Sequence, residues 1–370
     1  LFFFVQSLCA ELLKSKLGFY IEMPAGFLDM KTGDNATRFA FTDPNGVMEF
    51  DIIAYEKGRF KNVEDLAAKS TALLKSGGEI SAYSYQDRRA ALAALDFQLD
   101  SVPMLGFAVF IEGRSSERDY ALLAYVASDL FDDYADFILS CLDSFSIDAA
   151  ALRTPGPISQ FTLAWPPERH EARTIPMPGG LSAVLPWSEA EGRQEHETCL
   201  REYKVLSAYA DEPELWLDAW TRFYRMAYRE SGARLDRLAL ETAKNLPPDD
   251  PTEQARRILA WVQQWNYERD PEGMDFIPPL TAAYEGRGDC DSRALVAAII
   301  LERLGIDAIL MVSREYSHAL LGVDVPGGGR RFGFDGREYL VGETTDDVGL
   351  GMIAADQADF SKWIGIQIGR

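Results

Sequence analysis

The chain has 370 residues, 47% hydrophobic and 12% aromatic, which is too much for one ordinary core and excludes a disordered polymer. Its formal charge of −21 repels phosphate backbones and anionic bilayer surfaces, so neither nucleic acid nor an anionic membrane surface is an expected partner. Four cysteines and three histidines are widely spaced, with no CxxC or HxxxH pair, so no metal and no other cofactor is expected.

Residues 1–17 form a lead-in. Its apolar opening, Leu1-Phe-Phe-Phe-Val-Gln-Ser-Leu-Cys-Ala10, is too short to span a bilayer. Two readings stand. It is the tail of a signal peptide cut after Ala10, which implies export to the periplasm or cell envelope of a bacterium. Otherwise it is an ordinary apolar helix of a cytoplasmic protein. Cys9 does not sit in a lipobox, since Gln6-Ser-Leu8 precedes it. No other stretch is long and apolar enough to be transmembrane, so no membrane insertion is expected.

Residues 18–147 read as one α+β module. Gly18 to Pro24, Thr37 to Thr42 and Val47 to Tyr55 are predicted strands, the last two joined by the tight turn Asp43-Pro-Asn-Gly46. Asn62 caps a predicted helix carrying Val63, Leu66, Ala67, Leu73 and Leu74. Strands follow at Ala91 to Leu99, Phe107 to Glu112 and Tyr120 to Ala127. A closing helix from Leu130 to Phe145 buries Phe131, Tyr134, Phe137, Ile138 and Cys141, which makes Cys141 a core residue. This order, opened by Gly18-Phe-Tyr-Ile-Glu-Met-Pro-Ala-Gly26 and closed by Leu142-Asp-Ser-Phe145, resembles the PsbP-like fold, an antiparallel sheet between helices. The resemblance implies a binding or adaptor module with a protein partner, not a catalyst.

Residues 148–187 read as a linker, because seven prolines from Pro155 to Pro186 oppose helices and interior strands. Ile158 to Trp165 is expected as an edge strand at most. From 188 to 370 a second domain follows, helical at first. His196 and Cys199 share a helical face, but two ligands make no metal site, and Cys199 is expected to be structural. Pro213 to Tyr228 is dense in aromatics and reads as a buried helix face. Asp250-Pro-Thr-Glu253 starts a helix whose apolar face is Ala255, Ile258, Leu259, Val262 and Trp265.

Chemistry concentrates in Gly286-Arg-Gly-Asp-Cys290 and the helix that ends at Gly305. Cys290 at a helix start faces free backbone N–H groups and the positive end of the dipole, which is expected to lower its pKa. Period-two runs follow: Ile306 to Ser313, Ser317 to Val325 with His318, and Arg337 to Thr345 with Glu343. Cys290, His318 and Glu343 in that order suit a nucleophile, a base and a group that fixes the base. Arg287, Asp289 and Asp291 are expected to shape the turn or the pocket rim. The Cys290 N–H would be one oxyanion donor, with Gln263, Gln264 and Trp265 as candidates for the second.

Ile258-Leu-Ala-Trp-Val-Gln-Gln-Trp-Asn-Tyr267, Gly288-Asp-Cys-Asp-Ser-Arg-Ala294, Leu304-Gly-Ile-Asp-Ala308, Ser317-His-Ala319 and Gly342-Glu-Thr-Thr345 together resemble the transglutaminase-like superfamily. The resemblance covers roughly Thr252 to Gly351. It implies a papain-like α+β core and thiol chemistry on amide bonds of a peptide or protein substrate, with the nucleophile at Cys290, the histidine at His318 and the acid at Glu343. Two positions depart from the family pattern. Leu320 stands where Trp is common, and Glu343 stands where Asp is usual, leaving Asp346 and Asp347 as alternative acids. The function read from this is a cysteine-dependent hydrolase or acyltransferase, with hydrolysis favoured over cross-linking. The alternative is an inert fold serving as a protein-binding scaffold. A redox sensor is disfavoured, since Cys290 has no resolving cysteine nearby in sequence.

Overall fold

The computed structural model describes residues 12–30, 37–167, 170–269 and 273–369. The two readings of Leu1 to Ala10 concern residues outside these. Among the described residues, no helix is long and apolar enough to cross a membrane. The chain is α+β throughout, and contact density divides it into two units. The first is Leu1–Glu168 with Arg201–Phe223, the second Arg169–Leu200 with Tyr224–Arg370.

In the first unit, β1 (Leu13–Lys14) pairs with β2 (Tyr20–Ile21). Then come β3 (Leu28–Asp29), β4 (Arg38–Thr42), β5 (Glu49–Tyr55), helix α1 (Val63–Leu74), β6 (Ile80–Tyr85), β7 (Arg88–Leu99), β8 (Val102–Ile111), β9 (Asp119–Ala127) and helix α2 (Phe131–Asp143). The strands from β3 onward form one antiparallel sheet of order β3-β4-β5-β9-β8-β7-β6. Strand β9 explains why the sheet is buried on both faces. Tyr120, Leu122, Ala124 and Val126 enter the core that α2 covers, and Ala121, Leu123 and Tyr125 enter the core that α1 covers. Cys141 lies fully buried in the α2 core, as expected, and burial pushes its thiol up to about 12.

The predicted local signals hold here. Asp43 accepts the N–H groups of Asn45, Val47 and Met48, and Gly46 takes φ +71°, so the β4–β5 turn closes as read. The Asn62 side chain accepts the Asp65 N–H at 2.9 Å, a cap worth about 1 kcal/mol.

The proline-rich segment differs from its expectation. In place of an edge strand at Ile158 to Trp165 stands helix α3 (Pro157–Thr162). Pro157 sits in its first turn, where a missing N–H costs nothing. Buried Asp143, at the end of α2, accepts from the N–H groups of Ile158 and Ser159 and from the Ser159 hydroxyl. A cap supplied by another helix is not written in the local sequence. Further on, β10 (Glu171–Met177) and β11 (Leu181–Trp187) form a two-stranded hairpin. Such a ribbon leaves each strand one unpaired edge, and so it admits Pro176 and Pro186.

Helices α4 (Glu189–Ser207) and α5 (Trp216–Gly232) each contribute residues to both units. Residues 201–223, read from sequence as part of the second domain, group with the first unit because their polar side chains are satisfied there. Arg201 pairs with Asp143 at 2.5 Å and with Glu202, and Arg222 pairs with Glu202 at 2.8 Å. Tyr209 donates to the Ala25 carbonyl. The aromatic face of α5 is buried at Phe223, Tyr224 and Tyr228, and Cys199 of α4 is fully buried.

The second unit continues with α6 (Asp236–Lys244), α7 (Pro251–Gln263), α8 (Pro279–Glu285) and α9 (Cys290–Arg303). Asp250 caps α7 by accepting the Glu253 N–H, with Pro251 in the first turn. Helix α9 is buried almost all round and stops before Gly305 at φ +80°. It packs on a sheet of order β14-β15-β13-β12-β16 made from β12 (Ala308–Ser313), β13 (His318–Val323), β14 (Arg331–Phe334), β15 (Arg337–Gly342) and β16 (Ile364–Gln367). Strands β14 and β16 are additions to the three that the sequence pattern marks. Both are four residues long, too short to carry a period.

Candidate active site

The turn before α9 is built by backbone that only glycine holds easily. Gly286 ends α8 at φ +62°, and Gly288 lies at φ +157° with Ser292 Cβ 2.7 Å from where its own Cβ would stand. The Asn266 backbone ties this turn down on both sides: its N–H donates to the Gly286 carbonyl, and its carbonyl accepts the Gly288 N–H. Asp289 then caps α9, accepting from the Ser292 N–H at 2.9 Å and the Ser292 hydroxyl at 2.7 Å. This makes Cys290 the first helical residue, 4% exposed. Asp289 therefore shapes the turn, as expected. Arg287 pairs outward with Glu285 and Glu268.

Arg293 holds the surroundings together. It is 1% exposed and donates to the carbonyls of Gly288, Trp265 and Thr344, which lie on three separate segments. Burial lowers its pKa, and no carboxylate pairs with it among the described residues. The motif that contains Arg293 does not by itself assign it a role. A charged residue directly before the apolar run 294–301 is the available signal.

His318 opens β13, directly after Ser317, which takes the left-handed φ of +47°. Its Nε2 lies 2.8 Å from Glu343 Oε2. Glu343 follows β15 rather than lying within it, and is 4% exposed. Its second oxygen accepts both the N–H and the hydroxyl of Thr345 at 2.7 Å. Burial disfavours the charge, but the His318 ring and the two Thr345 donors outweigh it and hold the carboxyl below its usual range. Trp363 packs edge-on to the imidazole, ring centres 6.2 Å apart. Glu343, and neither Asp346 nor Asp347, is thus the acid on His318 among the described residues.

The thiol departs from expectation. Burial pushes the Cys290 pKa up, and the carboxylates of Asp291 and Asp289 push it further; the Ala319 backbone N–H works against them by donating to Sγ. The helix start does not lower the Cys290 pKa here, because burial first, and then the two flanking acids, oppose it. Asp291 accepts the thiol at 3.5 Å and the Tyr224 hydroxyl at 2.7 Å. Its own pKa is raised by burial, and that of Asp289 is raised to about 7, also by burial first. The same Ala319 contact sets the sulfur against the first residues of β13, where His318 begins.

Of the three candidates for a second oxyanion donor, Gln263 is excluded. Both of its amide N–H bonds are used, on the carbonyls of Glu343 at 2.8 Å and Val348 at 3.0 Å. Gln264 is exposed at the end of α7, and Trp265 Nε1 is buried without a hydrogen-bond partner.

A helix-borne cysteine on an antiparallel sheet that carries histidine and acid is the arrangement the motif set implied. Residues 240–329 match the model of the Transglutaminase-like superfamily. The transglutaminase-like segment carries Cys290 and His318 and ends short of Glu343. No curated protein matches the chain. Among solved structures, cyanobacterial PsbP from Synechocystis sp. PCC 6803 is 16% identical over 37% of this chain and 93% of its own, with a TM-score of 0.31. The Ran-binding protein Mog1p of Saccharomyces cerevisiae is 9% identical over 36% of this chain and 92% of its own, with a TM-score of 0.28. A structure from Bacteroides thetaiotaomicron is 10% identical over 90% of this chain and 89% of its own, with a TM-score of 0.27. The transglutaminase-like likeness read in the C-terminal third is found by the family model.

Proposed function

We propose that the second unit is a thiol-dependent amide hydrolase or acyltransferase, with hydrolysis of a peptide or isopeptide bond as its main reaction. The observation that carries the reading is the 2.8 Å bond between His318 Nε2 and a buried, doubly anchored Glu343, beside a cysteine at the first position of a helix. Glu343 occupies Nε2, which leaves Nδ1 as the nitrogen for the thiol proton.

With burial and the flanking carboxylates raising the Cys290 pKa, attack is general-base assisted. The Cys290 S–H bond breaks with its proton passing to His318, and the sulfur forms a bond to the substrate carbonyl carbon. The carbonyl oxygen becomes an oxyanion that the backbone N–H of Cys290, at the start of α9, stabilises. The C–N bond then breaks, and the amine leaves with the proton from His318. Water cleaves the thioester, returns a proton to Cys290 and releases the acid. Glu343 keeps the imidazole oriented and offsets its transient charge.

The test is acylation by p-nitrophenyl acetate followed by intact-protein mass. One acetyl group on Cys290 is expected, absent in Cys290→Ser and formed about 100-fold or more slower in His318→Ala. No acylation at Cys290, or a rate indifferent to His318, sinks the enzyme reading. The second reading is a non-catalytic protein-binding scaffold. It is favoured by the flanking of the thiol by Asp289 and Asp291, and the same negative result would support it.

A further inference from the structure

A cavity of about 460 Å³ opens within the first unit. Packed interiors leave few voids larger than a water molecule, so a concavity this size is a shaped surface rather than a packing defect. Its wall is aromatic. Phe137 of α2 has Phe27 stacked at 6.5 Å, Tyr134 at 5.9 Å and Tyr209 at 6.1 Å. Both tyrosine hydroxyls are tied back, Tyr209 to the Ala25 carbonyl at 2.8 Å and Tyr134 to Asp43 at 3.3 Å, which fixes the rings. Gly26, at φ +75°, lets Leu215 and Pro44 close the wall, since a Cβ there would meet them at 2.9 and 3.0 Å.

The charged lining is of one sign. Among the described residues, Asp43, Asp133 and Glu212 contribute carboxylates to the lining, and no lysine, arginine or histidine does. Asp43 is spent on the backbone of its own turn. Asp133 and Glu212 are exposed and form no ion pair among the described residues. An anion would be repelled here. A neutral apolar ligand would gain the rings but cover carboxylates without compensation. A primary ammonium needs acceptors close around it, and the nearest buried one is already saturated. A weakly hydrated cation with an apolar surface suits both the ring quadrupoles and the carboxylate field.

We infer that this cavity binds a quaternary ammonium group. Such a group reaches the cavity either on a free solute or on a lipid headgroup, and the shared trimethylammonium chemistry is what the site recognises.

The experiment titrates the full chain with choline and with 3,3-dimethylbutan-1-ol, its neutral carbon isostere, by calorimetry and ligand-observed NMR. Choline is expected to bind saturably, and the isostere at least about tenfold more weakly. Glu212→Lys, at an exposed position, brings a tethered ammonium to the rim and should remove choline binding with the far-UV spectrum and Tm unchanged. Tyr134→Leu provides a second variant and should weaken binding. Phosphatidylcholine vesicles form the second arm. Co-sedimentation lost in Glu212→Lys assigns the headgroup, and saturable choline binding without co-sedimentation assigns a free solute. Absence of saturable choline binding, equal binding of the isostere, or unchanged binding in Glu212→Lys would overturn the inference.

Discussion

Tyr224 donates its hydroxyl to Asp291 across 2.7 Å, and the other oxygen of that carboxyl faces the Cys290 thiol. A side chain from α5 thereby holds a negative group against the sulfur. Replacing Asp291 by Asn removes the charge while keeping an acceptor for Tyr224. The Cys290 pKa should fall, so the midpoint of iodoacetamide alkylation moves to lower pH. An unmoved midpoint would leave burial and Asp289 as the causes. Adding His318→Ala to the series separates the acid's influence from that of the imidazole.

Glu343→Gln tests the orienting acid. The amide can still accept from Thr345, and Gln263 still holds the main chain, so the fold should persist. Acylation of Cys290 should slow by about 100-fold, because the imidazolium loses its counter-charge. Stability should also lose a pH-dependent part. The folded carboxyl lies below its ordinary value, so its contribution is present above that value and disappears as pH falls through the depressed one. Wild type and variant should therefore converge in denaturant titrations below about pH 4.

Arg293→Lys keeps the charge but cannot reach three carbonyls at once. Buried acceptors on Gly288, Trp265 and Thr344 would be left without donors. A loss of about 2–4 kcal/mol is expected in urea unfolding. A change within about 0.5 kcal/mol would mean that the three segments hold their positions without the guanidinium.

Glu195 carries a prediction of opposite sign. It is fully buried, accepts the Ser231 hydroxyl at 2.6 Å and the Leu280 N–H at 2.8 Å, and burial raises its pKa to about 7. A carboxyl raised on folding stabilises fully below its unfolded value and loses that contribution as pH climbs through the folded one. The Tm of the wild type should therefore drop between about pH 5 and pH 8, and Glu195→Gln should flatten that slope. Parallel curves would contradict the assignment. Asp289, raised to about 7, contributes with the same sign and remains in the variant.

What the sequence revealed followed the range of each interaction. Caps at Asn62 and Asp250, the Asp43 turn and the Gly286–Cys290 delivery rest on neighbours a few residues away, and all are present as read. The pairing of His318 with Glu343 was legible as order along the chain. Helix α3 was not, because its cap comes from Asp143 on another helix. The direction of the Cys290 shift was also misread. The dipole argument is local, whereas the first cause of the rise is burial, which the whole fold sets, and the adjacent Asp291 is held against the sulfur by Tyr224, far away in sequence. Arg293 escaped for the same reason, since two of its three acceptors lie on distant segments.

The Gln263 amide grips the carbonyls of Glu343 and Val348 together. A single side chain thus fastens both ends of a short stretch, like a clasp on a loop of cord. Residues inside the stretch can change identity without disturbing the clasp, but adding or deleting one would pull an end out of reach. The spacing between the acid and Val348 is therefore under tighter constraint than the letters between them, and insertions should be rarer there than substitutions.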